Sequence, residues 1–337
     1  MKSALVMGGT GNIGVAVTRR LLLDGYDVTV LTRTPPAENL YGVHMLIADR
    51  GDDAQLESVL RNNHFEYVVD LVCHCEAHAQ QDLRLFPCLR RLIAVSSGAV
   101  YGPLRAESLP IREETCRAPV WEYGVRKKAM EDVFLRAWLD SGFPVTLFRP
   151  TVTYGRQRTL VRQIGSDNSW VTRIRRGEPI AVGNGKLLRN FLYVDDAALA
   201  FSGAFRHDVC EGQVYNLCGL KPYDWEAYHR AMMRVLGREV EMVEVPLDLL
   251  RASSAFPLSD MIVHNFIYNG YYSGEKIARD IPEFRALTPL EDGLRKTVCW
   301  MESRGLLVLG ETTDWEDELI AARRAAYIYL SRKGEEK

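Results

Sequence analysis

A chain of 337 residues with 47% hydrophobic and 26% charged side chains can bury a large core, in one large domain or two modest ones. Its formal net charge of -2 gives no basic footprint for nucleic acid, which is not expected as a partner, and no apolar stretch reaches the length of a membrane span. Seven cysteines, odd in number and scattered, fit a reducing compartment, and no signal-peptide core precedes the first strand, so a cytoplasmic location is expected.

The first apolar run, residues 4–7, leads through Gly8-Gly9-Thr10-Gly11-Asn12-Ile13-Gly14 into the helical pattern of residues 15–23. Glycines spaced G-x-x-G-x-x-G at a strand-to-helix junction predict a nicotinamide-dinucleotide site, with the backbone of Gly8, Gly11, Asn12, Ile13 and Gly14 at the pyrophosphate. Further β-rich runs at 27–31, 43–48, 67–72, 91–96 and 145–148 alternate with helix-length segments. That alternation predicts an α/β fold, a doubly wound parallel sheet of the Rossmann kind. The second run ends at Thr32-Arg33, where NAD sites usually carry an acidic residue for the ribose hydroxyls and an arginine accommodates a 2′-phosphate. NADP(H) is therefore favoured, with NAD(H) as the alternative. The cluster Cys73-His74-Cys75-Glu76-Ala77-His78 matches no C-x-x-C pair and begins at a strand end, so no metal is expected.

Ser96 and Ser97 close the fifth run, placing hydroxyls at the carboxyl edge of the sheet, where ligands bind in open α/β folds. Tyr123 and Lys127 stand at i and i+4 on one face of a helix running to about residue 139, and the ammonium is expected to lower the tyrosine pKa. After Pro150 the pattern loosens into a smaller, mixed region. The expected division is 1–158 plus about 188–219 for dinucleotide binding, about 159–187 plus 220–311 for substrate, and a C-terminal helix at 312–337 capped by Thr313 or Asp314.

These motifs occur with Ser97-x-x-x-Tyr101-Gly102, Arg149-Pro150 followed by Tyr154-Gly155, and Gly183-Asn184-Gly185 followed by Arg189-Asn190-Phe191-Leu192-Tyr193-Val194-Asp195-Asp196. Together they resemble the extended short-chain dehydrogenase/reductase superfamily, in its NAD-dependent epimerase/dehydratase branch, over nearly the whole chain. The resemblance implies that Tyr123 is the catalytic acid/base, that Lys127 holds the nicotinamide ribose and tunes Tyr123, and that Ser97 hydrogen-bonds the reacting oxygen of the substrate. It also implies that Asp49-Arg50 meets the adenine ring. A homodimer packed through the Tyr123 helix, with Val133, Phe134 and Trp138 as its apolar positions, is expected on the same ground.

Departures from the family pattern narrow the reaction. Sugar 4,6-dehydratases of this branch place an Asp-Glu pair where this chain has Gly98-Ala99, so simple oxidoreduction or epimerisation is expected. Val152 replaces a nucleotide-sugar asparagine and residues 263–274 hold no arginine, which leaves Arg189 as the expected contact to a substrate phosphate. The expected function is an NAD(P)-dependent sugar epimerase acting at a secondary alcohol, with a nucleotide-linked sugar as the expected substrate. An NADPH-dependent carbonyl reductase of a small metabolite is the alternative. The segment from Tyr272 to Phe284 resembles members related to the chloroplast stem-loop-binding proteins, a non-catalytic RNA-binding reading that the intact Ser97, Tyr123 and Lys127 disfavour.

Overall fold

Short apolar segments buried on both faces make the central sheet of this computed structural model, which describes residues 2–35, 40–103, 109–156, 159–285, 288–307 and 314–335. In chain order the first elements are β1 (Ser3–Met7), α1 (Asn12–Leu23), β2 (Asp27–Thr32), β3 (His44–Ile47), α2 (Asp53–Leu60), β4 (Tyr67–Asp70), α3 (Glu76–Leu85), β5 (Arg91–Val95), α4 (Glu122–Ser141) and β6 (Val145–Pro150). Next come β7 (Val152–Tyr154), β8 (Val161–Arg162), β9 (Gly165–Ser166), α5 (Ser169–Arg176), β10 (Ile180–Val182), β11 (Leu188–Tyr193), α6 (Val194–Ala204) and β12 (Gln213–Leu217). The remainder are β13 (Pro222–Asp224), α7 (Trp225–Leu236), β14 (Met242–Glu244), α8 (Leu247–Ala252), α9 (Glu275–Asp280), α10 (Leu290–Ser303) and α11 (Asp314–Glu335).

The first compact unit comprises residues 1–156, 190–221 and 271–288. Its sheet runs in the order β12-β6-β5-β4-β1-β2-β3, parallel throughout. Alternate side chains enter two cores. Val6, Val28, Val69, Ile93 and Phe148 pack with α1 and α6 on one face, while Leu5, Val68, Leu92, Ala94 and Leu147 pack with Met130 and Phe134 of α4 on the other. Strand β4 stops at Asp70 rather than at 72, because the buried Asp70 carboxylate accepts the Val72 N–H at 2.7 Å and turns the chain. The segment 271–288, expected with the substrate region, belongs to this unit. Ile277, Ile281 and Phe284 are buried beside Phe201 and Ala204, and a Cβ on Gly203 would fall 2.3 Å from Ile281.

The second unit comprises residues 157–189, 222–270 and 289–337. It contains the β8–β9 hairpin and a parallel pair, β10 with β14. Its core gathers Ala181, Val243, Leu250, Phe256 and Ile262 around Trp315, Leu319 and Ile320 of α11. The C-terminal helix is thus part of the second unit: the buried Glu316 carboxylate accepts from Arg162 at 2.5 and 3.0 Å and from the Ala181 N–H at 2.7 Å. The cap expected at Thr313 lies outside the described residues. No described helix is long and apolar enough to cross a membrane.

Candidate active site

The turn from β1 to α1 needs its glycines for different reasons. Gly8 takes φ +80°, in the left-handed region. A Cβ on Gly14 would lie 2.3 Å from the Gly8 carbonyl oxygen and 2.8 Å from Gly9 Cα, so the first turn of α1 rests directly on the loop backbone. Gly11 has open space: the nearest atom to an added Cβ is the Gly8 oxygen at 3.6 Å. Gly11 is also the N-cap of α1, with no side-chain cap and no acidic residue in the first turn. The positive end of the helix dipole is left for an anion, with Asn12 and Ile13 opening the helix.

A cleft of about 510 Å³ runs beside this turn, lined by Gly8, Gly11, Thr32, Arg33 and Asp49 among others. Thr32 is buried, its hydroxyl 3.3 Å from that of Thr10 and donating to the Thr34 carbonyl at 3.1 Å, while Arg33 is exposed. Asp49 is held by local bonds: its Oδ1 accepts the Gly51 N–H at 2.9 Å and its own N–H donates to Gln55 at 2.7 Å.

Arg50 departs from expectation. It is 6% exposed, and its guanidinium donates to Asp70, to Asp82 Oδ1 at 2.7 Å and to the His78 carbonyl at 2.8 Å. Those bonds take up the head group that an adenine contact would require. The ligand-type atoms of Asp70, Cys73 and Asp82 lie within 4.8 Å of one another, but the cation they face is this guanidinium. His74 and His78 also line the cleft, which the sequence reading weighed only as metal ligands. The His74 N–H donates to His78 Nδ1 at 3.1 Å, and burial pushes the His74 imidazole down to about 4 and His78 below its ordinary value.

Ser97, Tyr123 and Lys127 meet at the carboxyl edge of β4 and β5. Ser97 caps a short 3₁₀ turn, Gly98–Tyr101, its Oγ accepting the Ala99 N–H at 3.2 Å. The start of α4 packs on that turn, since a Cβ on Gly124 would fall 2.6 Å from the Ala99 oxygen. Lys127 is 2% exposed and donates to the carbonyls of Cys73 and Val95, each at 2.7 Å. Its ammonium lies 5.9 Å from the Tyr123 ring centroid.

The electrostatics differ from expectation. Burial raises the Tyr123 phenol above its ordinary value although 42% of the residue is exposed, and a hydrogen bond with Ser97 only partly opposes this. The ammonium is turned to two carbonyls and does not lower the phenol. Burial likewise pulls Lys127 below its usual range, against the charges of Asp70 and Glu131.

Behind the edge lies a network that the sequence showed only as the Arg149-Pro150 motif. Arg149 Nε and Nη2 clasp the buried Glu131 of α4 at 2.8 and 2.6 Å, Nη1 donates to Tyr101 Oη at 2.7 Å, and that hydroxyl donates to Asn216 at 2.7 Å. Tyr272, far off in sequence, packs its phenol against Gly98.

Two further expectations are corrected. Arg189 is 1% exposed, with Nη1 donating to Asn265 Oδ1 at 2.8 Å and Nη2 to the carbonyls of Asn265 and Tyr268 at 2.9 Å, so it braces its own unit and is not presented to a substrate phosphate. Phe134 is fully buried in the chain's own core, with Val133 and Trp138 packed against it. Phe134 therefore faces inward, while Val133 and Trp138 are half-buried.

A protein that keeps a serine, a tyrosine and a lysine at this edge of this sheet is an NAD(P)-dependent enzyme of the extended short-chain dehydrogenase/reductase type. A family model described as NAD dependent epimerase/dehydratase family matches residues 4–218, and the chain belongs to that family. It is 30% identical over 246 residues to 2'-dehydrokanamycin reductase of Streptomyces kanamyceticus, covering 72% of this chain and 69% of that protein. Its fold is similar to UDP-glucose 4-epimerase of Thermotoga maritima solved with UDP-glucose (TM-score 0.71, 19% identity, 90% of this chain and 99% of that one). It is also similar to RMD from Pseudomonas aeruginosa complexed with NADPH (TM-score 0.68, 19% identity, 90% and 100%).

Gly14→Ala should destabilise the protein by about 1–3 kcal/mol, the usual effect of overpacking, because the new Cβ meets backbone that cannot yield. Gly11→Ala should cost under about 1 kcal/mol, the range of N-cap exchanges, yet weaken cofactor binding on the order of tenfold or more. Denaturant titration and calorimetry check the pair; equal stability losses would show that the two glycines do not differ in this way.

Proposed function

We propose that the chain interconverts a secondary alcohol and its ketone on a sugar, using NADP(H), with NAD(H) as the alternative cofactor. The observation that carries this reading is the convergence of Ser97, Tyr123 and Lys127 at one sheet edge. The cleft fits such a cofactor, because α1 starts without a side-chain cap and Gly11 leaves room above it. Gly8, Gly11, Asn12, Ile13 and Gly14 would hold the pyrophosphate, Thr32 and Arg33 the adenosine ribose and its phosphate, Asp49 the adenine, and Lys127 the nicotinamide ribose. A bound nicotinamide supplies the hydride chemistry that side chains lack.

The chain's own residues handle the proton. Tyr123 exchanges a proton with the substrate oxygen, Ser97 hydrogen-bonds that same oxygen, and Lys127, with two N–H bonds fixed on carbonyls, has a third to donate to a ribose hydroxyl. Epimerisation of a nucleotide-linked sugar is one form of this chemistry, supported by the UDP-glucose bound to a neighbour of the same fold. Net reduction of a ketone is the other, and one observation favours it: the end of β2 lacks a carboxylate and carries an exposed arginine, as in a site for NADPH, the cofactor consumed in reductions.

We further infer a cytoplasmic homodimer. Seven free cysteines support the compartment, and the exposed Val125 and Leu139 of α4 support a seam through that helix. Light scattering at micromolar concentration should give twice the 38.2 kDa chain mass, and a monomer would overturn the dimer.

Tyr123→Phe should cut turnover by ~10²–10⁴-fold while cofactor affinity stays nearly intact, since only the transferable proton is lost. With purified protein and candidate sugars, stoichiometric loss of NADPH identifies the reductase, and isomer formation at constant cofactor redox state identifies the epimerase. Turnover by the Tyr123 variant at the wild-type rate would remove the acid/base assignment.

Arg33→Ala should weaken NADP(H) selectively by about 1.5–3 kcal/mol, the worth of a hydrogen bond to a charged group. Calorimetric titration with both cofactors decides: equal losses would mean that Arg33 stacks on the adenine, and tighter wild-type binding of NAD would end the NADP(H) preference.

A further inference from the structure

A buried ion cluster next to the cleft takes no part in the chemistry above. Arg50 donates to Asp70 and, at 2.7 Å, to Asp82 Oδ1, and both carboxylates are fully buried. Burial and the neighbouring Asp70 charge push the Asp82 carboxyl up. Burial alone would raise Asp70 as well, but the Arg50 charge overrides it and holds Asp70 ionised.

Its free oxygen acts on the backbone. Asp70 Oδ1 accepts the Val72 N–H at 2.7 Å, and Arg50 Nη2 donates to the His78 carbonyl at 2.8 Å. The chain between these two anchors carries the Cys73 carbonyl, which accepts the Lys127 ammonium at 2.7 Å. An apolar pair in place of Arg50 and Asp70 would spare the desolvation cost but leave the Val72 N–H and the His78 carbonyl without these partners.

We infer that Arg50 and Asp70 are positioning residues for Lys127: their ion pair fixes the turn after β4 and so aims the Cys73 carbonyl that holds the ammonium. The inference rests on the role proposed above for Lys127. It gives the Arg50 guanidinium, already committed to Asp70, Asp82 and the His78 carbonyl, a function in place of an adenine contact. The charged and titratable groups facing Lys127 are Asp70 from β4, Cys73 and His74 from the turn, Arg50 from the segment before α2, and Glu131 and Tyr123 from α4. Asp70 is among those that raise its pKa. Neutralising Asp70 removes one half of the ion pair that fixes the turn carrying the Cys73 carbonyl.

Trace acetylation of lysines with acetic anhydride across a pH series, read by peptide mass spectrometry, follows Lys127 without any turnover. Asp70→Asn removes the charge, and the milder Arg50→Lys keeps the charge but cannot fork between two carboxylates. In folded Asp70→Asn the Lys127 labelling at fixed pH should rise about threefold or more as the loosened carbonyl frees the ammonium, with the other lysines as internal references. Arg50→Lys should show the same rise in labelling. Affinity for ADP, which carries only the adenosine half of the cofactor, should stay within about threefold of wild type in both. Lys127 labelling unchanged in both folded variants would overturn the inference, and so would a loss of ADP affinity of about tenfold with Lys127 unmoved, which would return Arg50 to the adenine. Failure of the oxidoreductase reading looks different: the Lys127 labelling would respond as described while wild-type protein converted no sugar substrate.

Discussion

A buried ammonium must be answered by acceptors, and at Lys127 the acceptors are two main-chain carbonyls that follow neighbouring parallel strands. This fixes more than one side chain. Strands β4 and β5 lie side by side in register, so the last carbonyl of β5 and the Cys73 carbonyl from the turn after β4 make a pair for a donor arriving from a helix that crosses the edge. Lys127 thereby pins α4 to the sheet, and Tyr123, one helical turn earlier, is delivered beside Ser97 at the end of β5. The close contact of Gly124 with the 98–101 turn secures the same junction from the other side.

Along the same edge, the β1–α1 turn solves a different problem. A helix that is to present its N-terminus to a phosphate must begin immediately after the strand and carry no side chain in the way. Gly14 lets the helix sit on the loop, and Gly11 keeps the approach clear. Polarity is graded along the cleft. Arg33 stands exposed at the end of β2, whereas elsewhere in the cleft lining the Arg50 charge is spent on Asp70 and the imidazoles of His74 and His78 are pushed below their ordinary value. The cleft thus offers an anion its dipole and one open guanidinium, and keeps its buried charges matched.

The parts legible in the sequence are those set by local pattern. The glycine turn, the six strands of residues 4–148 and the i, i+4 pair of Tyr123 and Lys127 all lie where periodicity and spacing place them. What escaped depends on partners distant along the chain. Nothing near Arg189 announces that residues 265–268 will consume its guanidinium, and nothing near Arg50 announces Asp82, thirty-two residues on. Phe134 is apolar on either reading, and only the packed sheet decides that it turns inward. The segment 271–288 looks like more of the mixed region because its three anchors, Ile277, Ile281 and Phe284, are spaced among polar residues. The direction of the Tyr123 shift was misread for a related reason: spacing reports that two groups share a helix face, whereas the pKa answers to where the ammonium points and how dry the hydroxyl is.

Packing also bears on which reactions this edge can host. Elimination of water from a sugar ketone needs an acid and a base beside the redox centre, and relatives that perform it place an Asp-Glu pair where this chain has Gly98-Ala99. The substitution could have been a surface drift that leaves the space for a carboxylate vacant. It is not, because a Cβ on Gly98 would lie 2.7 Å from the Tyr272 hydroxyl and 3.0 Å from its ring carbon. Tyr272 is tied in place by its N–H bond to the buried Asn190 at 2.7 Å and by the Ile111–Tyr272 bridge, so the phenol has little freedom to withdraw. The position is thus filled from the opposite side by an aromatic ring, which would have to shift before any side chain could enter there. The filled position agrees with the proposed proton exchange at one oxygen through Tyr123 and Ser97.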